Sequence, residues 1–108
     1  MAGGNVTKVP SGSKLGLGFS RAVRVGDMVF VSGCAPIAPD GSVAAPGDMK
    51  AQTKRCLEII EGALVQAGSD IKHVVRTRVF LTDMSRWKEA GEAHGEVVPR
   101  EQLAEPRE

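Results

Sequence analysis

Aromatic side chains are scarce in this 108-residue chain: three Phe, one Trp and no Tyr. That leaves few platforms on which the bases of a single strand could stack. An excess of one charge is also lacking. Fourteen Lys and Arg stand against thirteen Asp and Glu, a formal +1, and the isoelectric point is near 7.8. Nucleic-acid-binding domains usually carry a basic stripe and an isoelectric point above about 9, so a nucleic-acid partner is not expected. No apolar run approaches the ~20 residues of a membrane-spanning helix, and the opening MAGGNVTKVPSGSKLG has no apolar centre of a secretory signal. Cysteine is limited to Cys34 and Cys56, at no metal or redox spacing. Nothing there points to an oxidising compartment, and a cytoplasmic address without membrane attachment is the expectation. Histidine is limited to His73 and His94, with no HxxxH or HxH pair, so no metal site is expected. GFSRAV and VSGCAP lack the glycine spacing of a phosphate loop or a nucleophile elbow.

What is present suits one globular domain, with 42% hydrophobic and 25% charged residues. Residues 1–18 are rich in Gly and Ser and read as a loose N-terminal tail. Arg21 to Gly33, RAVRVGDMVFVSG, reads as two short strands around a tight turn at Gly26-Asp27. Its second strand, the apolar run Met28 to Val31, is expected to be the more buried of the two. CAPIAPDGSVAAPGD then holds three prolines and an Asp40-Gly41 turn signal, a loop with room for a short edge strand at Ala35 to Ala38.

Asp48 is placed to cap a helix. Met49, Cys56, Leu57, Ile60, Ala63, Leu64 and Ala67 recur at three and four, one apolar stripe of about five turns. Gly68 stands where a helix C-terminus needs it. Val74 to Leu81, VVRTRVFL, reads as a further strand, with Arg76 and Arg78 on one side. Ser85 can cap a second helix, on which Trp87, Ala90, His94 and Val97 or Val98 share a face and which ends before Pro99. PREQLAEPRE, residues 99–108, reads as a frayed polar tail or a short surface helix. The β-β-α-β order favours an α+β architecture, a mixed sheet with helices on one face.

Several residues admit both a chemical and a structural reading. Ser32-Gly33 at the end of a strand offers a hydroxyl and approachable backbone N–H groups to a small ligand, or is a strand terminus where glycine permits a turn. Cys34 is a thiol nucleophile if a helix N-terminus or a cation stands beside it, and otherwise a small half-buried hydrophobe. Cys56 falls on the helix stripe and is structural. Arg76 and Arg78, with Arg21 and Arg24 as neighbours on the hairpin, could clamp a carboxylate or could be solvated strand residues. His94 packs on its helix face.

SRAVRVGDMVFVSGCAPI, DGSVAAPGDMKAQTKRCLEIIEGAL and VVRTRVFLTDMSRWKEAGEAHGE together resemble the Rid (YjgF, reactive intermediate deaminase) superfamily across about Phe19 to Glu96, and residues 19–98 are taken as the single domain. The resemblance implies a chorismate-mutase-like α+β fold, a homotrimer with ligand clefts between subunits, and no metal or organic cofactor. It implies hydrolysis of reactive enamines and imines to 2-keto acids and ammonia, although relatives also carry the older label of translation-inhibiting endoribonucleases. It places Ser32 and Gly33 in the cleft as substrate contacts. Phe19 falls where deaminating members often have tyrosine, and Gly91 near a position often occupied by asparagine.

Deaminating members continue past the second helix into a Pro-x-Arg-Ser segment and a strand pair carrying a carboxylate. Here VPREQLAEPRE stands after Val97, and neither Arg100 nor Arg107 sits in a matching motif. The expectation is therefore a Rid-like domain whose C-terminal strands are missing, with impaired catalysis and no assignable catalytic residue. The alternative is a non-catalytic trimer that binds a small 2-imino or 2-keto carboxylate, and RNA cleavage ranks last.

Overall fold

The hairpin forms around Gly26-Asp27, where Gly26 adopts φ +58°, a value that suits glycine. In the computed structural model, which describes residues 6–10 and 20–103, β2 (Ser20–Val25) and β3 (Met28–Val31) pair antiparallel with Val25 opposite Met28 and Ala22 opposite Val31. The Ser32 amide donates to the Arg21 carbonyl at 2.9 Å, which carries the pairing one residue further. A third strand, β1 (Val6–Pro10), pairs antiparallel with the other edge of β2, giving the order β1-β2-β3.

β1 corrects the reading of a loose tail over residues 1–18 at Val6–Pro10; the rest of that stretch lies outside the described residues. Val9 is buried and packs with Ala22 on β2 and with Ala63 and Ala67, while the backbone of Val6–Pro10 satisfies an edge of β2 that the hairpin alone leaves open. The relative burial of the hairpin strands is also reversed. Ala22 on β2 is fully buried, whereas Met28 and Phe30 on β3 are 61% and 55% exposed. The cause is position: β2 is the central strand, and only Val29 and Val31 of β3 turn toward the core.

α1 (Met49–Gln66) starts as the sequence leads one to expect, with the Asp48 carboxylate accepting from the Ala51 amide at 3.0 Å. Its end is a glycine-closed turn. The Ser69 amide donates to the Leu64 carbonyl at 2.8 Å and the Gly68 amide to Val65 at 3.0 Å, with Gly68 at φ +81°. The Arg24 guanidinium adds a second closure from β2: Nη1 donates to the carbonyls of Ala67 at 2.8 Å and Gly68 at 3.3 Å, while Nε donates to Gly26 at 2.9 Å. The loop before α1 holds the Asp40-Gly41 turn, with Gly41 at φ +91°. In place of a strand at Ala35 to Ala38, it has a single bridge between Ile37 and Val43, consistent with the prolines at 36 and 39 withholding donors.

α2 (Trp87–Val97) lies along α1, joined to it by ion pairs Lys50–Glu92 at 2.6 Å and Lys54–Glu96 at 2.5 Å. The turn before it is capped by Asp83, whose carboxylate accepts from the Ser85 amide and hydroxyl; Ser85 itself does not cap the helix. The buried face of α2 is Ala90 and Ala93, with Val98 just beyond it, while Trp87 is 57% exposed. Leu57, Leu64, Ile71 and Val98 form the second core cluster, which Val29, Val31 and Leu103 adjoin.

Val74 to Leu81 is not a strand. The segment joins no ladder among the described residues, and Val75, Val79 and Phe80 stay exposed, Phe80 at 84%. β-branched composition favours an extended chain, but a ladder also needs a paired neighbour, and among the described residues this segment has none. The described sheet is accordingly antiparallel throughout, without the parallel member that a mixed sheet requires. The start of the segment is held by a side chain instead: Gln102 Nε2 donates to the carbonyls of Ile71 and Val74, each at 2.7 Å. Of the polar C-terminal stretch, the described part is thus anchored through the short 3-10 turn Arg100–Gln102 and through Leu103.

Candidate functional site

The register of the hairpin decides what stands at Ser32-Gly33. With Ala22 opposite Val31, the next pair outward is Arg21 and Ser32. The Ser32 hydroxyl donates to the Ser20 carbonyl at 2.6 Å, so its proton is committed to the strand end and its oxygen faces any ligand as an acceptor. Gly33 is exposed, and a Cβ built there meets no atom within 4 Å, so its backbone is open to close approach. Arg21 Nη1 donates to the Gly33 carbonyl at 3.4 Å and to Cys34 Sγ at 3.3 Å. A guanidinium, an exposed glycine backbone and a hydroxyl oxygen therefore share one strand end.

Of the four arginines that the sequence groups as a possible clamp, the fold places only Arg21 there. Arg24 is drawn to the C-terminus of α1. Arg76 and Arg78 are exposed and make no hydrogen bond or ion pair among the described residues. Arg21 could have been singled out from the sequence, because a two-residue turn at Gly26-Asp27 fixes residue 21 opposite residue 32.

Gly91 stands elsewhere. It lines a groove of about 260 Å³ between α2 and the segment 77–81, together with Val79, Trp87 and His94 among others; Ser32 and Gly33 do not line it. Phe19 lies outside the described residues. Another crevice, of about 340 Å³, runs between the helices beside Leu57, Val97 and the Lys54–Glu96 pair. Among the described residues, no three His, Cys, Asp or Glu side chains converge as metal ligands would, and no helix is long and apolar enough to cross a membrane.

His94 is the titratable group of the smaller groove. Its Nε2 and the Thr77 hydroxyl are 2.8 Å apart, and burial pushes its pKa below the ordinary value of 6.5. Burial penalises the imidazolium, so the folded chain binds this proton less readily than the unfolded chain does. The contribution to stability is then complete above about pH 6.5 and is lost as the pH falls toward the lower folded value. We expect the urea midpoint to drop between pH 7.5 and pH 5.5, and the drop to shrink in His94→Gln, read by circular dichroism. An equal drop in both proteins would remove His94 as the cause.

A three-stranded antiparallel sheet with two helices, and a polar strand end beside the hairpin, define an α+β domain with relatives of known structure. Residues 14–108 match the endoribonuclease L-PSP family. A RutC family protein of Pyrococcus abyssi is 37% identical over 78 residues, 72% of this chain and 61% of that protein. The 3-aminoacrylate deaminase RutC of Acinetobacter baylyi is 32% identical over 83 residues, 77% of this chain and 66% of that one. Among solved structures, a Mycobacterium tuberculosis member of the YjgF/YER057c/UK114 family is 39% identical with a TM-score of 0.76, covering 94% of this chain and 84% of the other. The Escherichia coli protein TdcF, solved with bound serine, is 26% identical with a TM-score of 0.74, covering 92% of this chain and 78% of that one. The chain belongs to the endoribonuclease L-PSP (YjgF/Rid) family. The chain spans about three fifths of the length of the curated relatives it matches.

Proposed function

We propose that this protein binds a small 2-imino or 2-keto carboxylate at the Ser32-Gly33 strand end and hydrolyses the imine or enamine slowly, releasing a 2-keto acid and ammonia. The observation that carries the reading is the Arg21 guanidinium beside Gly33, a charge complement to a carboxylate. Support comes from the RutC relative named for 3-aminoacrylate deamination and from the TdcF structure with a bound amino acid. In this reading water adds to the C=N carbon, the nitrogen takes up the protons and leaves as ammonia, and Gly33 and Ser32 hold the substrate in line with that water. Phe19 and Gly91 belong to the same proposed cleft, with Gly91 contributed across a homotrimer interface. The setting would be cytoplasmic, with no metal or organic cofactor.

Slow turnover follows from the hydroxyl. The Ser32 proton is engaged by the Ser20 carbonyl, and among the described residues no carboxylate or imidazole hydrogen-bonds Ser32 or Gly33 to activate water. The same observation favours a second reading, a non-catalytic carboxylate-binding regulatory trimer. RNA cleavage ranks last, on the near-neutral charge.

The test generates 2-iminopropionate in a coupled assay. Wild type is expected to release keto acid faster than buffer, and Ser32→Ala to lose roughly tenfold of that excess, the value of one contact of about 1.4 kcal/mol. Rates equal to buffer, with 2-keto acids still raising the melting temperature, would establish the binder instead.

A further inference from the structure

Two cysteines far apart in sequence meet beside this strand end. Cys34 leaves β3 directly after Gly33, and Cys56 lies on the face of α1 turned toward that loop. The Cys56 thiol donates to the Cys34 carbonyl oxygen at 3.4 Å, so the residues are packed against one another across a gap of 22 positions. Both thiols are free and both are partly accessible. The two sulfurs differ in surroundings. Cys34 Sγ receives an N–H of Arg21 at 3.3 Å, and a cation beside sulfur is the setting in which thiolates react. Burial, with the neighbouring Cys34, pushes the Cys56 thiol up from its ordinary pKa, which keeps it a thiol until a partner sulfur is presented.

We propose that Cys34 and Cys56 are a peroxide-responsive dithiol that closes to a disulfide and ties the exit of β3 to α1. Cys34 attacks one oxygen of hydrogen peroxide; the O–O bond breaks, the sulfur becomes a sulfenic acid, and the other oxygen leaves as water after taking a proton. Cys56 then gives up its proton and attacks the Cys34 sulfur; the S–O bond breaks and a second water departs. The two sulfurs are oxidised by two electrons in total, and the peroxide is reduced by the same two. The exposed Gly33 before Cys34, with open space on its Cβ side, and the absence of ladder pairing from Gly33 to Ala35 let the Cys34 backbone adjust to disulfide geometry. Transient, redox-sensing disulfides are the kind that a reducing compartment tolerates. The inference concerns the thiols alone and does not depend on deaminase activity.

The reduced 108-residue chain is treated with one equivalent of hydrogen peroxide, blocked with iodoacetamide and weighed, with peptide mapping. The expected product is a monomer 2 Da lighter with neither cysteine alkylated and a Cys34–Cys56 peptide pair, reversed by dithiothreitol. Cys56→Ser is expected to stop at a sulfenic acid on Cys34 that dimedone traps, Cys34→Ser to react at least tenfold more slowly, and Arg21→Gln to slow wild-type closure severalfold. Closure at the same rate in 8 M urea, exclusively intermolecular disulfides, or equal reactivity of Cys34→Ser and wild type would each overturn the proposal.

Discussion

Leu64→Ala is expected to destabilise the protein by about 2–5 kcal/mol, the usual cost of a large-to-small change in a core that cannot fully collapse. Leu64 is 4% exposed and stands in the cluster with Leu57, Ile71 and Val98. Removing its side chain therefore opens the seam where α1, the turn after it and the residue following α2 meet. Small domains hold only about 5–15 kcal/mol in all, so the substitution removes a large share of the total. Val65, the next residue, is 61% exposed, and Val65→Ala is expected to stay within about 0.5 kcal/mol. Urea titrations followed by far-ultraviolet circular dichroism measure both. Equal midpoints for the two variants would mean that the α1 face assigned to the core is wrong.

Arg24→Met is expected to cost about 1.5–3 kcal/mol, the range for hydrogen bonds from a charged donor. The guanidinium reaches three carbonyls, those of Gly26, Ala67 and Gly68, and so couples the hairpin turn to the last turn of α1. Its positive charge there also complements the negative end of the helix dipole. Gly68 leaves room for it, since a Cβ at that position would lie 2.8 Å from Arg24 Nη1. Arg76→Ala is the comparison, because Arg76 is exposed and unpaired among the described residues, and a change within about 0.5 kcal/mol is expected. Thermal melts of both variants, with and without pyruvate, separate structure from ligand binding. A loss confined to the pyruvate-dependent shift in Arg24→Met would return this arginine to the ligand side.

The hairpin and α1 were legible because their signals are local. A two-residue Gly26-Asp27 turn sets the register by itself, and Asp48 and Gly68 mark the helix ends by backbone chemistry that neighbouring residues supply. β1 was not legible. VTKVP, set among glycine and serine, has too little pattern to announce a strand; it becomes one because β2 presents an unpaired edge and Val9 finds Ala22, Ala63 and Ala67. Val74 to Leu81 erred in the opposite direction. Its composition is that of a strand, but a ladder depends on a partner from elsewhere in the chain, and among the described residues the segment pairs with none.

The candidate site divides along the same line. Ser32-Gly33 could be picked out as a polar pair ending an apolar run, and the family resemblance raised its chemical interest. That Arg21 stands beside it, that Arg24 serves α1 instead, and that the Ser32 proton is held by Ser20 are consequences of side-chain geometry.

The sequence by itself determined the α+β class, the hairpin register and both ends of α1, because turn chemistry, caps and apolar periodicity act over a few residues, and its runs carried the resemblance to the family. Only the tertiary structure decided that Val6–Pro10 completes the sheet, that Val74 to Leu81 stays outside it, and that Cys34 and Cys56 meet. Each of these depends on whether a distant part of the chain offers an edge or a neighbour, and that is a property of the packed molecule.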